Sequence, residues 1–147
     1  MEIKQIESFT LKGLSTRTTN ASELEPSTAK IGALWESFFT ELAPNLGTNS
    51  NPYGVYYSYE SGAEGEFNVL AGAEFKEMDS PLAEVTIESG KYLLFTREGE
   101  MPTAVIGAWK EIWEYFTGTD CEYTRLCKTD FEKYIGPNKV EVYIGIE

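Results

Sequence analysis

The chain has 147 residues, 41% of them hydrophobic and 14% aromatic, which is enough for one ordinary domain with a real core. Its 24 acidic residues outnumber 12 basic ones, giving a net charge of −12, so direct nucleic-acid binding through a basic patch is excluded. Histidine is absent, which removes every Ser-His-Asp or Cys-His catalytic arrangement and the commonest metal ligand; neither a metal nor a cofactor is expected.

In chain order, the opening Met1-Glu2-Ile3-Lys4-Gln5 has no apolar signal region, and no apolar run approaches the length of a membrane span. Cys121 and Cys127 are too few for a disulfide framework and are not spaced as a CxxC motif. A cytoplasmic protein with no membrane association is expected. Residues 3–18 mix β-branched and apolar positions and read as a first strand. Ser27 or Thr28 then caps a helix whose apolar positions are Ile31, Leu34, Trp35, Phe38, Phe39 and Leu42, and Pro44 and Gly47 stop it. Residues 47–52 form a polar loop that could act as a lid. Tyr53 to Tyr59 and Phe67 to Phe75 make a hairpin.

The pattern restarts after Met78-Asp79-Ser80-Pro81. Ala83 to Phe95 is strand-like with a break at Ser89-Gly90, and Pro102 suits the first turn of a helix. That helix buries a stripe of Val105, Ile106, Trp109, Ile112, Trp113 and Phe116, and Gly118 ends it. Asp120, Glu122 and Arg125 read as a solvated loop. A closing hairpin turns at Gly136-Pro137-Asn138-Lys139.

The order strand, helix, strand, strand therefore occurs twice, over about 1–78 and 79–147 of a single domain. Ile31-Gly32-Ala33 recurs as Ile106-Gly107-Ala108, and Tyr56-Tyr57 corresponds to Tyr134-Ile135. The implied fold is α+β: two βαββ units joined in one antiparallel sheet with two packed helices.

The closing hairpin carries one figure twice, Glu132-Lys133-Tyr134 and Glu141-Val142-Tyr143. If Ile135 pairs with Val140, then Tyr134 meets Glu141 and Glu132 meets Tyr143, a checkerboard of two acids and two phenols on one face. Phe131, Ile135, Val140, Val142, Ile144 and Ile146 fall on the other face, with Lys133 among them. Two acids and two aromatics facing one way point to a receptor for a cation. The simpler reading is that Glu132 and Glu141 are solvated strand residues. Against it, their counterparts in the first half are Gly54 and Asn68, so the acids are not part of the repeat itself. Tyr56, the counterpart of Tyr134, is expected on the same cleft. At i, i+4 spacing Trp109 and Trp113 read first as core, although a pocket between helix and sheet would expose an edge of either one.

Four stretches carry a family resemblance: Tyr53-Gly54-Val55-Tyr56-Tyr57, Ile87-Glu88-Ser89-Gly90-Lys91-Tyr92-Leu93-Leu94-Phe95 followed by Gly99, Phe131-Glu132-Lys133-Tyr134, and Glu141-Val142-Tyr143-Ile144-Gly145-Ile146. Together they resemble the effector-binding domain of AraC-type and multidrug-responsive bacterial regulators, the GyrI-like (gyrase-inhibitory-protein-like) family. Ser89 and Gly145 stand where that family carries proline. No helix-turn-helix flanks the stretch, so a stand-alone module is expected. The resemblance implies a ligand cleft between the halves, with Glu132, Tyr134, Glu141 and Tyr143 facing a cationic aromatic small molecule. It thereby implies a non-enzymatic module that senses or sequesters drugs or dyes. It also admits two alternatives. One is a small-molecule hydrolase using paired glutamates as acid and base; the other is an acidic protein that contacts a regulator or gyrase.

Overall fold

Among the described residues, runs of β-branched and aromatic residues form eight strands, and two amphipathic segments form the principal helices. The computed structural model describes residues 2–42, 51–60, 65–74, 82–101, 103–119, 121–136 and 138–147. The strands are β1 (Glu2–Ile6), β2 (Phe9–Thr18), β3 (Tyr53–Tyr57), β4 (Phe67–Ala73), β5 (Ala83–Ile87), β6 (Gly90–Glu98), β7 (Arg125–Tyr134) and β8 (Lys139–Ile146). The helices are α1 (Asn20–Leu24), α2 (Ile31–Glu41) and α3 (Thr103–Thr117). Pro44, Gly47, Phe75, 78–81, Pro102, Asp120, Pro137 and the 47–50 part of the expected lid lie outside the described residues.

All strands join one antiparallel sheet in the order β1-β6-β8-β7-β3-β4-β2-β5. The order reads symmetrically about the β7–β3 seam, so the α+β duplication is borne out. The second-half segment breaks between β5 and β6 where expected, at Ser89-Gly90, but residues 3–18, read as one strand, also divide, into β1 and β2. The halves exchange the outer pieces. β1 pairs with β6 of the second half, and β5 pairs with β2 of the first. A single long strand could not reach both sheet edges, which is why each breaks.

The sheet is strongly curled. The rings of Phe9 on β2 and Phe131 on β7 approach to 5.7 Å although β3 and β4 lie between their strands. Gly13 and Gly72 are paired at the bend, where a Cβ on either would overlap the opposing backbone. The curl buries both faces. Leu11, Val55, Leu70, Ile87, Leu94 and Phe131 form a core on one face, and the helices cover the other.

The helices meet the sheet differently from their apolar stripes. From α3 the buried residues are Ala104, Ala108 and Ile112, while Ile106 and Trp113 are 60% and 44% exposed. From α2 they are Leu34 and Phe38, while Phe39 is 56% exposed. Equating Leu34 and Phe38 with Ala108 and Ile112 sets Trp35 against Trp109 and Phe39 against Trp113. This corrects the Ile-Gly-Ala alignment by one residue.

Neither Ser27 nor Thr28 caps α2. The short helix α1, itself capped by Thr19, places the Glu23 carboxylate where it accepts the backbone N–H groups of Lys30 at 2.9 Å and Ile31 at 3.0 Å. An anion from a preceding turn thus satisfies the helix N-terminus that a hydroxyl was expected to serve.

Candidate functional site

Strand β7 aims Asp130, Glu132 and Tyr134 at the helices, because residues two apart share a face. The hairpin register is one residue from the expected one: Tyr134 pairs with Val140, Glu132 with Val142 and Phe131 with Tyr143. The turn is one residue tighter than expected, closed by the Ile135 N–H to the Lys139 carbonyl at 2.9 Å, with Gly136 at a φ of 65°. A one-residue slip moves every side chain of one strand to the other face. Glu132 and Tyr134 therefore share a face with Val140, Val142 and Ile144, while Glu141 and Tyr143 join Phe131 on the opposite face. The single-face checkerboard is not formed. Tyr143 stacks on Phe131 at 4.6 Å and donates to Glu141 Oε1 at 3.0 Å. With the sheet between them, the two glutamates cannot work as an acid–base pair.

Glu132 is 1% exposed. Tyr56 Oη donates to its Oε2 at 2.9 Å, Tyr134 Oη to its Oε1 at 2.8 Å, and Trp109 Nε1 to Oε2 at 2.6 Å. The two tyrosines are repeat counterparts, one from each half, and the indole comes from α3. Directly across the β7–β3 seam stands Gly54, the repeat counterpart of Glu132 itself. A Cβ on Gly54 would lie 2.7 Å from Glu132 Oε1 and 3.1 Å from Trp35 Cζ2. The symmetry axis has room for one acidic side chain, and glycine yields it.

Burial raises the Glu132 pKa above the usual carboxylate value; the bonds from Trp109, Tyr134 and Tyr56 pull it down without cancelling the effect. Burial, then the Glu132 charge, pushes both Tyr56 and Tyr134 well above the ordinary phenol range, so both remain donors. All three donors to Glu132 are neutral. Its neighbour Asp130, fully buried two residues away, is held differently. It accepts Arg125 Nη2 at 2.6 Å, Tyr59 Oη at 2.6 Å and the Gly145 N–H at 3.0 Å. Arg125 is thus no loop residue. It opens β7, and a bulge before Asp130 folds it back onto that carboxylate and over the rings of Tyr59 and Trp109.

A cavity of about 980 Å3 opens between α2 and α3 above Glu132. Tyr56, Trp109, Trp113, Glu132 and Tyr134 line it, while Glu141 and Tyr143 are not among its lining residues. Trp109 packs against the core beneath α3 and also presents an edge to this cavity, whereas Trp113 lies half-exposed at the cavity instead of in the core first expected for it. Trp35, Phe39, Tyr59 and Arg125 also line it and were not anticipated; the i, i+4 aromatics on α2, matching those on α3, were the available signal. Among the described residues there is no cluster of His, Cys, Asp or Glu able to hold a metal, and no helix is long and apolar enough to cross a membrane.

Residues 2–146 match the family model described as "Cass2: Integron-associated effector binding protein". An integron cassette protein from the mobile metagenome of Vibrio cholerae is 42% identical with a TM-score of 0.94, and the match covers 99% of this chain and 95% of that one. YobU of Bacillus subtilis, named as a candidate transcriptional regulator, is 30% identical over 131 residues, covering 83% of this chain and 78% of its own. A protein whose structure was solved bound to tetraphenylphosphonium shares the fold at 19% identity, with a TM-score of 0.77 over 99% of this chain and 93% of that one.

Two outcomes follow from this geometry. Gly54→Ala is expected to destabilise the protein by about 1–3 kcal/mol through overpacking, and most of that loss should vanish in a Glu132→Ala background, measured as a double-mutant cycle in urea. For the second, a buried acid with a raised pKa holds more protons folded than unfolded. Its contribution is present in acid and is lost as pH rises through the folded-state pKa. The difference in unfolding free energy between wild type and Glu132→Gln should therefore shift against wild type as pH rises through and above the normal carboxylate range; a constant difference would contradict it.

Proposed function

The chain belongs to the Cass2 family of integron-associated effector binding proteins, in the GyrI-like superfamily, and from that premise we propose that its effector is a cationic, amphiphilic aromatic compound held over Glu132. The observation that carries this reading is the contrast between two buried carboxylates on one strand. Asp130 has its cation built into the fold as Arg125, whereas among the described residues Glu132 receives only neutral donors. A buried carboxylate without an opposite charge is costly in proportion to its ionisation, and an entering cation relieves that cost.

The walls fit the same ligand class. Rings of Trp35, Tyr56, Trp109, Trp113 and Tyr134 line the cavity above the carboxylate, and cation–π contact in such a site contributes about 0.5–2 kcal/mol per ring. Broad aromatic surfaces tolerate different ligand shapes, and the single acid supplies charge selectivity. The distant neighbour solved with tetraphenylphosphonium supports a lipophilic cation as the effector. Such a module senses or sequesters its effector, and a regulator that reads the bound state is the expected partner.

Calorimetric titration with tetraphenylphosphonium and with neutral triphenylphosphine oxide tests this. Glu132→Gln should weaken the cation by about tenfold or more, worth roughly 1.4 kcal/mol, while changing the neutral ligand little. Equal losses for both would overturn the assignment.

A further inference from the structure

The two walls of the cavity are built alike. On one side of the β7–β3 seam Trp35 of α2 meets the ring of Tyr134 edge-on at 5.2 Å and 75°. On the other Trp109 of α3 meets Tyr56 at 5.1 Å and 72°. Each helix therefore reaches across to the tyrosine of the opposite half. One turn further out on each helix a second ring continues the wall. Phe39 lies 5.7 Å from Trp35 at 31°, and Trp113 lies 6.2 Å from Trp109 at 40°. Both outer rings are about half exposed, and both line the cavity mouth. Between the walls, on the pseudo-twofold axis, sits Glu132 opposite Gly54.

We infer that the site selects cations whose charge lies at the centre of two aromatic arms over isomers whose charge lies at one end. This rests on Glu132 holding the cation, as proposed above. A carboxylate on the axis fixes the charge midway between two aromatic corners of matching ring geometry. A ligand branched at its charged atom can send one ring along each wall while the charge stays at Glu132. A linear ligand with a terminal charge fills one wall and leaves the other to water, or fills both and withdraws its charge from the axis. Either choice forfeits apolar burial or electrostatic contact. The walls are alike in ring geometry and differ in polarity: the Trp109 indole bonds the carboxylate and carries the Arg125 guanidinium 5.7 Å from its ring.

Dibenzyldimethylammonium and (4-phenylbenzyl)trimethylammonium test the inference directly. They are isomers with the same charge, two benzene rings and no N–H donor. The branched isomer should bind about tenfold more tightly by calorimetry, the equivalent of burying one additional ring. Phe39→Leu and Trp113→Leu, both at half-exposed positions, should each weaken the branched isomer, whereas only one of them should weaken the linear one. Glu132-dependent binding of both isomers at equal strength would overturn the inference and leave the cation reading standing. So would loss of the branched isomer in only one of the two outer-ring variants. Absence of binding by either isomer at millimolar concentration, or affinities unchanged in Glu132→Gln, would overturn both.

Discussion

At the β7–β3 seam a carboxylate is closed off from water and held by one hydrogen bond from each half of the sheet and one from a helix. Much of the surrounding architecture depends on accommodating that group. Gly54 must lack a side chain, because its Cβ would overlap Glu132. Tyr56 and Tyr134 must be positioned as a pair, which duplication achieves by placing the same residue type on both central strands. The Trp109 nitrogen must come from α3, so the helix position is tied to the same acid. The charge itself has no such compensation from these donors, and burial keeps its proton affinity high.

Asp130 shows the alternative solution on the same strand. Its guanidinium partner, phenol and backbone donor complete a structural network that pins the bulged start of β7 to β8. Buried acids of this kind serve the fold. Glu132 has the same burial and the same strand face, yet its donors are neutral and its cavity is open. The helices follow the same division. Ala104, Ala108, Ile112, Leu34 and Phe38 contact the sheet, and Trp35, Phe39, Trp109 and Trp113 turn to the cavity. The curled sheet compensates by burying its other face on itself.

The duplication, the α+β class and the family were legible from the order of elements and four short motifs. Glu132 stood out by contrast with its glycine counterpart, Tyr134 by the Glu-x-Tyr figure and Tyr56 as the repeat counterpart of Tyr134, and the structure brings the three together. The expected partnership of Glu132 with Glu141 does not form. A hairpin loop of uncertain length leaves the register open by one residue, and that slip decides which face each side chain takes. Polarity could not arbitrate, because both sheet faces are buried and Phe131 and Val142 are equally apolar. The helix stripes misled for a related reason: an aromatic lining a ligand cavity has the same periodicity as one in a core. Arg125 was hidden by a bulge, and Glu23 by a short helix whose five residues carry no periodic signal.

If the proposed cation is held over Glu132, its binding should displace the proton that burial leads this acid to retain. Tetraphenylphosphonium binding measured calorimetrically in buffers of different ionisation enthalpy counts the protons released. At a pH just above the ordinary carboxylate range, where the raised pKa keeps part of Glu132 protonated, binding should release protons, and affinity should rise with pH until that release ends. Glu132→Gln should abolish the release. Cation binding with no proton exchange across the acid range, or with release that persists in Glu132→Gln, would contradict the account.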